Sequence, residues 1–279
     1  MPTQLAGDYP TRAHQNVAKL ATRAWDNLPK FLASTPVNAP SVRAFESANG
    51  WLQKNGYCDS RPLVLDSGCG NGESTRHLAL AYPDAAVIGV DRSEARLGKS
   101  RSLELPENAM LVRAELASFW RLMLEAEAAA DGHALAASRV QRHFLLYPNP
   151  YPKPSRLNLR WHGHPAFPLL LAIGDELELR SNWKVYLEEF ATATQLLATH
   201  AADDPSPPTA PFATGAATPP SQHPAWTSQA AQRVRKRGGD AAACVEPLLL
   251  DHARLAITPF ERKYHEVREP LYRLRLPQS

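Results

Sequence analysis

Cysteine is scarce in this chain. Cys58, Cys69 and Cys244 are the only three in 279 residues, none forms a C-x-x-C pair, and an odd count argues against a disulfide framework. No Cys/His grouping has the spacing of a zinc site, so no metal is expected. Long uncharged apolar runs are lacking, and so is a basic segment followed by an apolar one at the N-terminus. The expectation is a soluble, cytoplasmic protein that makes no use of a membrane. Charge of one sign is missing too: 31 Lys and Arg against 28 Asp and Glu leave a net charge of +3, so a polyanionic partner would have to be met by local patches. What the chain does have is a 44% apolar fraction, enough to fill the core of one large domain with extensions or of two small ones.

The most informative stretch is Leu63-Val-Leu-Asp-Ser-Gly-Cys-Gly-Asn-Gly72, followed by Val87-Ile-Gly-Val-Asp91. An apolar strand ends in an acid, enters a glycine-rich turn and a helix, and a second apolar strand closes on another acid 21 positions after Gly70. Glycines let the backbone approach a ligand without Cβ obstruction, and a carboxylate closing the second strand can take both hydroxyls of a ribose. The dinucleotide fingerprint G-x-G-x-x-G requires a third glycine where this chain has Glu73 or Thr75, which disfavours NAD and FAD. The form present, D-x-G-x-G-x-G, resembles the first motif of class I methyltransferases that bind S-adenosylmethionine. That resemblance implies cofactor contacts from Asp66, Gly68, Gly70 and Asp91, and from Glu115, which stands where the family has an acid after the third strand. Cys69 reads as a small residue tolerated under the cofactor rather than as a nucleophile.

Apolar periodicity places helices over 13–32, 41–55, 73–82, 94–102, 116–129, 165–172 and 183–200, with strands near 63–67, 87–91, 110–113, 142–147 and 176–180. Alternating strands and helices predict an α/β, Rossmann-like fold with a mainly parallel sheet covered on both faces. Four segments follow: a helical N-terminal extension over 1–60, a cofactor-binding core over 61–200, a flexible Pro/Ala-rich insertion with a basic end over 201–240, and C-terminal strands completing the core over 241–279. Ligands of such sheets bind beyond the carboxyl ends of the strands.

After the fourth strand comes Tyr147-Pro-Asn-Pro-Tyr-Pro-Lys153-Pro154, a loop stiffened by alternating prolines and suited to form a wall for a flat substrate. It resembles the F-P-D-P-W-P-K motif of the bacterial tRNA (guanine-N7)-methyltransferase family. Further landmarks recur in order: His164-Pro-Ala-Phe167 for H-P-E-F, Ser181-Asn-Trp-Lys-Val-Tyr186 for T-D-W-x-x-Y, Thr258-Pro-Phe-Glu261 for T-x-Y-E, and Pro270-Leu-Tyr-Arg-Leu274 for the last strand. The resemblance implies an S-adenosylmethionine-dependent methyltransferase acting on guanine N7 in tRNA. On that reading Asn149 and Glu261 are the catalytic positions, and Tyr151, Lys153, Asn182 and Thr258 face the acceptor.

Departures from the pattern define the alternatives. The two family aspartates are replaced by Asn149 and Asn182, and the basic run after the proline loop is reduced to Arg156 and Arg160 with His162 nearby. A carboxylate accepts from both donors of guanine's Watson–Crick edge, whereas an amide accepts only on its oxygen. A paralogue methylating a small molecule or a protein, or a catalytically silent binding homologue, therefore stays open. Glu261 has a plain alternative as a surface carboxylate paired with Arg262 or Lys263. Arg233–Arg237, the densest basic cluster, reads either as a phosphate-gripping arm or as the end of a solvated linker, and Trp161 and Trp183 either stack bases or pack in the core.

Overall fold

The computed structural model describes residues 13–57, 61–129, 133–203, 228–238, 244–250 and 256–277. Among the described residues seven strands form one sheet: β1 (Leu63–Ser67), β2 (Ala86–Asp91), β3 (Ala109–Arg113), β4 (Val140–Leu146), β5 (Glu176–Ser181), β6 (Cys244–Pro247) and β7 (Tyr272–Pro277). Their spatial order is β3-β2-β1-β4-β5-β7-β6. The first five run parallel, and β7 lies antiparallel to both β5 and β6. Every residue of β1 and β2 is buried, because helices cover both faces, and this is why these strands read as unbroken apolar runs rather than as alternation. The 3-2-1-4-5 winding puts the switch point between β1 and β4. This is the Rossmann-like fold of class I methyltransferases.

Among the described residues three helices precede the sheet, α1 (Val17–Asp26), α2 (Leu28–Ser34) and α3 (Ala39–Lys54). The crossovers carry α4 (Glu73–Ala81), α5 (Glu94–Leu97), α6 (Leu116–Ala129) and α7 (Phe167–Leu171). α8 (Lys184–Asp203), α9 (Ser228–Arg237) and α10 (Pro259–Glu266) follow β5. The single helix expected over 13–32 is two, since Pro29 opens α2 and has no amide to continue α1. The helix expected over 94–102 tightens into a 3-10 turn from Gly98 onward, where glycine disfavours the α form. α1 buries Val17, Ala21, Ala24 and Trp25 and packs on α8. The described part of the N-terminal extension is thus a wall of the main core.

The insertion over 201–240 departs most from expectation. α9 buries Ala230, Ala231 and Val234 and packs on α7 and α8. Arg237, only 2% exposed, donates to the carbonyl oxygens of Leu171, Ile173, Gly174 and Leu276 at 2.6–3.0 Å. Arg233 forms a two-pronged pair with Glu127 (2.5 and 2.7 Å) and donates to the Ala172 carbonyl at 2.6 Å. Arg235 donates to the Ala201 carbonyl at 2.7 Å. The arm and linker readings of Arg233–Arg237 both fail for one physical reason. Carbonyls left at the ends of α7 and α8 and on β7 need donors, and these guanidinium groups supply them. The rest of the Pro/Ala-rich stretch, 204–227, lies outside the described residues. Among the described residues no helix is long and apolar enough to cross a membrane.

Candidate active site

Beyond Ser67 the chain turns through Gly68, Gly70 and Gly72 at φ +81°, +62° and +82°, left-handed values that glycine adopts without a Cβ penalty. The amides of Gly68 and Cys69 donate to the Val90 carbonyl at 2.7 and 3.1 Å. The Gly70 amide donates to Asp91 Oδ2 at 2.9 Å, and Asp91 Oδ1 accepts from the Ser93 amide at 2.7 Å. The loop is therefore stitched to the end of β2. A Cβ on Gly68 or Gly70 would meet no atom within 4 Å, so the loop presents an open backbone cradle. Gly72 and Gly89 differ: a Cβ there would run into Leu111 and Thr75 respectively, and these two glycines serve the close approach of helix and sheet. The cradle with an acid at its rim fits S-adenosylmethionine. Gly68 and Gly70 would give its methionine and ribose room, and each Asp91 oxygen accepts one hydrogen bond, Oδ2 also lying 3.7 Å from Arg96 Nη1, so that each would keep a lone pair for a ribose hydroxyl.

Asp66 lies beneath the loop. Its Oδ2 accepts from the Ser74 and Thr75 hydroxyls at 2.6 and 2.7 Å, while its buried Oδ1 has no hydrogen-bond partner. Burial lifts its pKa to about 6 in spite of those two bonds, and its observed contacts tie the loop to α4. Glu115 caps α6: its Oε1 and Oε2 accept from the Ala117 and Ser118 amides at 3.0 and 2.7 Å. Its own amide donates to Ser41 Oγ at 3.1 Å. Burial first, then the charges of Asp66 and Asp91, push the Cys69 thiol well up, which leaves it inert as a nucleophile.

The proline loop, the turn after β5 and the start of α10 meet at the carboxyl ends of β4 and β5. Tyr147 and Tyr151, each preceding a proline, stand at φ +50° and +42°, positions that strain any residue with a Cβ. Asn149 and Lys153 are exposed; Asn149 Oδ1 accepts from the Tyr151 amide at 3.3 Å. Asn182 is 9% exposed, and its amide nitrogen is buried with no partner. Thr258 caps α10, its Oγ1 accepting from the Glu261 amide at 3.0 Å.

Glu261 is fully buried. Oε1 accepts from the Tyr147 hydroxyl at 3.2 Å and from Arg180 Nη1 at 3.0 Å, and Oε2 accepts from the Ile257 amide at 2.7 Å. The surface-carboxylate alternative is thereby corrected: Arg262 pairs instead with Glu73, at the first turn of α4. Together with a hydrogen bond between the His77 ring and the Ile257 carbonyl at 3.1 Å, that pair docks α10 beside the glycine loop.

Sequence reasoning missed Phe260. It is 52% exposed and lies nearly parallel to Tyr147 (5.8 Å between centroids, 21°) and Tyr264 (6.4 Å, 22°). The three rings make a pavement at the mouth of the site. The available signal was its place in Thr258-Pro-Phe-Glu261, where the helical turn that buries Glu261 turns its neighbour outward.

Other candidates move away from the site. Arg160, 2% exposed, pairs with Glu189, donates to the Tyr151 carbonyl at 3.1 and 3.2 Å, and lies 4.7 Å over the ring of Trp183. His162 is buried 3.2 Å from the same glutamate. Trp183 is buried, and Trp161 packs edge-on against Trp120 at 4.8 Å. These residues hold the proline loop in place, because a buried guanidinium finds its partners only inside the fold.

Fold, cradle and Asp91 define an S-adenosylmethionine-binding domain of the class I methyltransferase type. A sequence profile described as a methyltransferase domain matches residues 64–135, the cofactor half of the sheet. The chain is 31% identical over 137 residues to a tRNA (guanine-N(7)-)-methyltransferase of Streptomyces coelicolor, covering 48% of this chain and 47% of that protein. It is 29% identical over 110 residues to one of Cytophaga hutchinsonii, covering 38% and 44%. A trans-aconitate 2-methyltransferase of Deinococcus radiodurans is 49% identical over 43 residues, covering 15% and 17%. The chain thus spans about half the length, or less, of the curated relatives it matches. Among solved structures it is similar to the 16S rRNA (adenine(1408)-N(1))-methyltransferase from Catenulisporales acidiphilia, with TM-score 0.41 and 16% identity over 82% of this chain and 92% of that one.

Proposed function

We propose that this protein is an S-adenosylmethionine-dependent methyltransferase whose acceptor is N7 of a guanine in tRNA. The observation that carries the reading is the pavement of Tyr147, Phe260 and Tyr264, docked through Glu73–Arg262 and His77–Ile257 against the helix that begins at the glycine loop. A half-exposed ring beside the cofactor cradle suits a flat, stackable acceptor. When bound, the cofactor supplies an electrophilic methyl group. Asp91 holds its ribose hydroxyls, Gly68 and Gly70 let its methionine end approach, and Glu115 closes the adenine side. Guanine N7 carries a free lone pair, so no residue has to remove a proton, and orientation with electrostatics provides most of the rate. Phe260 and Tyr151 orient the base by stacking. The unpartnered amide nitrogen of Asn182 donates to the guanine O6, Asn149 borders the acceptor from the proline loop, and Lys153 meets a neighbouring phosphate. Both Glu261 oxygens are occupied, so Glu261 acts by positioning: with Thr258 it fixes the start of α10 and holds Arg180 and Tyr147.

A second reading, a small carboxylate as acceptor, is favoured by one specific observation. Among the described residues the acceptor side offers amide donors and Lys153 but no uncommitted carboxylate, an arrangement that also suits an anion. Transfer of tritiated methyl groups to bulk tRNA and to an RNA-free cell extract, by wild type and Asn149→Asp, separates the two. Label entering tRNA, with the variant retaining or exceeding wild-type rate, supports guanine; label entering only the RNA-free extract, and falling in the variant, overturns it.

A further inference from the structure

An RNA acceptor needs cationic contacts, and the arginines of α9 are consumed inside the fold. Uncommitted positive charge gathers on the outer side of the proline loop. α1 turns Val17, Ala21, Ala24 and Trp25 inward, and its outward stripe repeats Asn16, Lys19 and Arg23 at helical spacing. Opposite stand Ser155 and Asn158 of the 3-10 turn Pro154–Leu159. Between the two walls runs an open groove of about 260 Å³ with no acid in its lining. Lys19 and Arg23 are exposed, and among the described residues no carboxylate pairs with them. Asp26, the one acid of α1, is taken by His200 at 2.7 Å. Lys153 and Arg156, equally exposed, continue the positive charge along the second wall. Two cations one turn apart repel each other along a helix, and a bound anion would relieve that repulsion.

The groove is also a built feature. Glu189 Oε1 accepts from the His14 amide at 2.7 Å, just ahead of α1, while its Oε2 pairs with Arg160, which grips the Tyr151 carbonyl of the proline loop. One buried ion pair thus holds both walls. We infer that this groove seats the phosphate backbone of the RNA acceptor, Lys19 and Arg23 contacting phosphates and Asn16, Ser155 and Asn158 their oxygens or the ribose. The inference rests on the RNA reading of the acceptor. A strand held there leads directly to the loop that bears Asn149 and Tyr151.

The test is fluorescence anisotropy of labelled bulk tRNA with the full chain, from about 50 to 200 mM salt, for wild type and Lys19→Gln/Arg23→Gln. The double variant is expected to bind about tenfold more weakly at the lowest salt, with a log-affinity against log-salt slope shallower by about 1.4–1.8. Its melting temperature does not fall below that of wild type, and its S-adenosylhomocysteine affinity is unchanged. Arg43→Gln/Lys54→Gln, on the exposed face of α3, which packs on α6 and β3, leaves the slope unchanged. Equal slopes in wild type and the groove variant, or equal flattening by the α3 variant, overturn the groove. Groove-dependent binding without methyl transfer into RNA overturns the guanine reading and leaves the groove standing, whereas absence of tRNA binding by wild type overturns both.

Discussion

Replacing Glu261 by glutamine removes one charge and little volume, yet the structure predicts a large loss of stability. The carboxylate accepts three hydrogen bonds on two oxygens, from Tyr147, Arg180 and the Ile257 amide, whereas glutamine has one acceptor oxygen and presents an NH₂ at the other position. In the better orientation the oxygen keeps Tyr147 and Arg180, and the NH₂ confronts the Ile257 amide, leaving buried donors unsatisfied at about 1–3 kcal/mol. Arg180 loses a charged partner as well. Glu178 still holds it at 2.7 Å, so the loss is smaller than the ~3–5 kcal/mol of a fully orphaned buried ion. Together these come to about 3 kcal/mol, or a fall of about 6–12 °C in melting temperature for a chain of this size. Circular dichroism during heating measures it, and calorimetry with S-adenosylhomocysteine should give wild-type affinity because Asp91 and the glycine loop are untouched. A variant that melts within about a degree of wild type but transfers no methyl groups would refute the reasoning, since the carboxylate would then belong to the reaction rather than to the fold.

Asp91→Ala should weaken S-adenosylmethionine binding by about 1.5–3 kcal/mol, the loss of a charged hydrogen-bond partner; unchanged calorimetric affinity would contradict the ribose assignment. Asp66, its pKa raised by burial to about 6, binds its proton more readily folded than unfolded. Its contribution to stability is therefore fully present below about pH 4 and is lost as pH rises through about 6. Wild type should accordingly gain about 2–3 kcal/mol relative to Asp66→Asn between pH 7 and pH 4 in urea unfolding, and a pH-independent difference would speak against a buried, carboxylate-destabilised site. Arg237→Ala should cost more than about 3 kcal/mol by stranding four carbonyls; a variant as stable as wild type would return α9 to the linker reading.

The cofactor half was legible because its physics is local. The glycines, Asp66, Ser74, Thr75 and Asp91 all fall between 66 and 91, and their hydrogen bonds to one another close within that interval, only the packing of Gly72 and Gly89 reaching beyond it to Leu111. Strand and helix positions followed from apolar runs and periodicity, with errors where a single Pro29 or Gly98 altered a helix. The acceptor side was legible only through resemblance, since Glu261 is understood only once Arg180 and Tyr147 stand beside it. The arginines of α9 and Arg160 misled for the opposite reason. Charge in a sequence is read as solvated by default, and nothing local announces that six carbonyls or a buried glutamate wait elsewhere in the fold. Composition alone likewise gave no hint that α1 would carry its cations opposite the proline loop.

The antiparallel strand β7, inserted between β5 and β6, governs the order in which the molecule can be assembled. Partners in the cofactor cradle are separated by 8, 9 and 21 positions, so short loop closures complete it. Glu261 meets Arg180 and Tyr147 across 81 and 114 positions, and the acceptor wall stays unfinished until α10 and β7 are in place. Non-local closure of this kind is slow, and chains generally fold from the N-terminal side during synthesis. The cradle is thus ready before there is a wall to hold an acceptor beside it. Run in reverse, a partial opening that releases β6, β7 and α10 would dismantle acceptor recognition while leaving the cofactor loop intact.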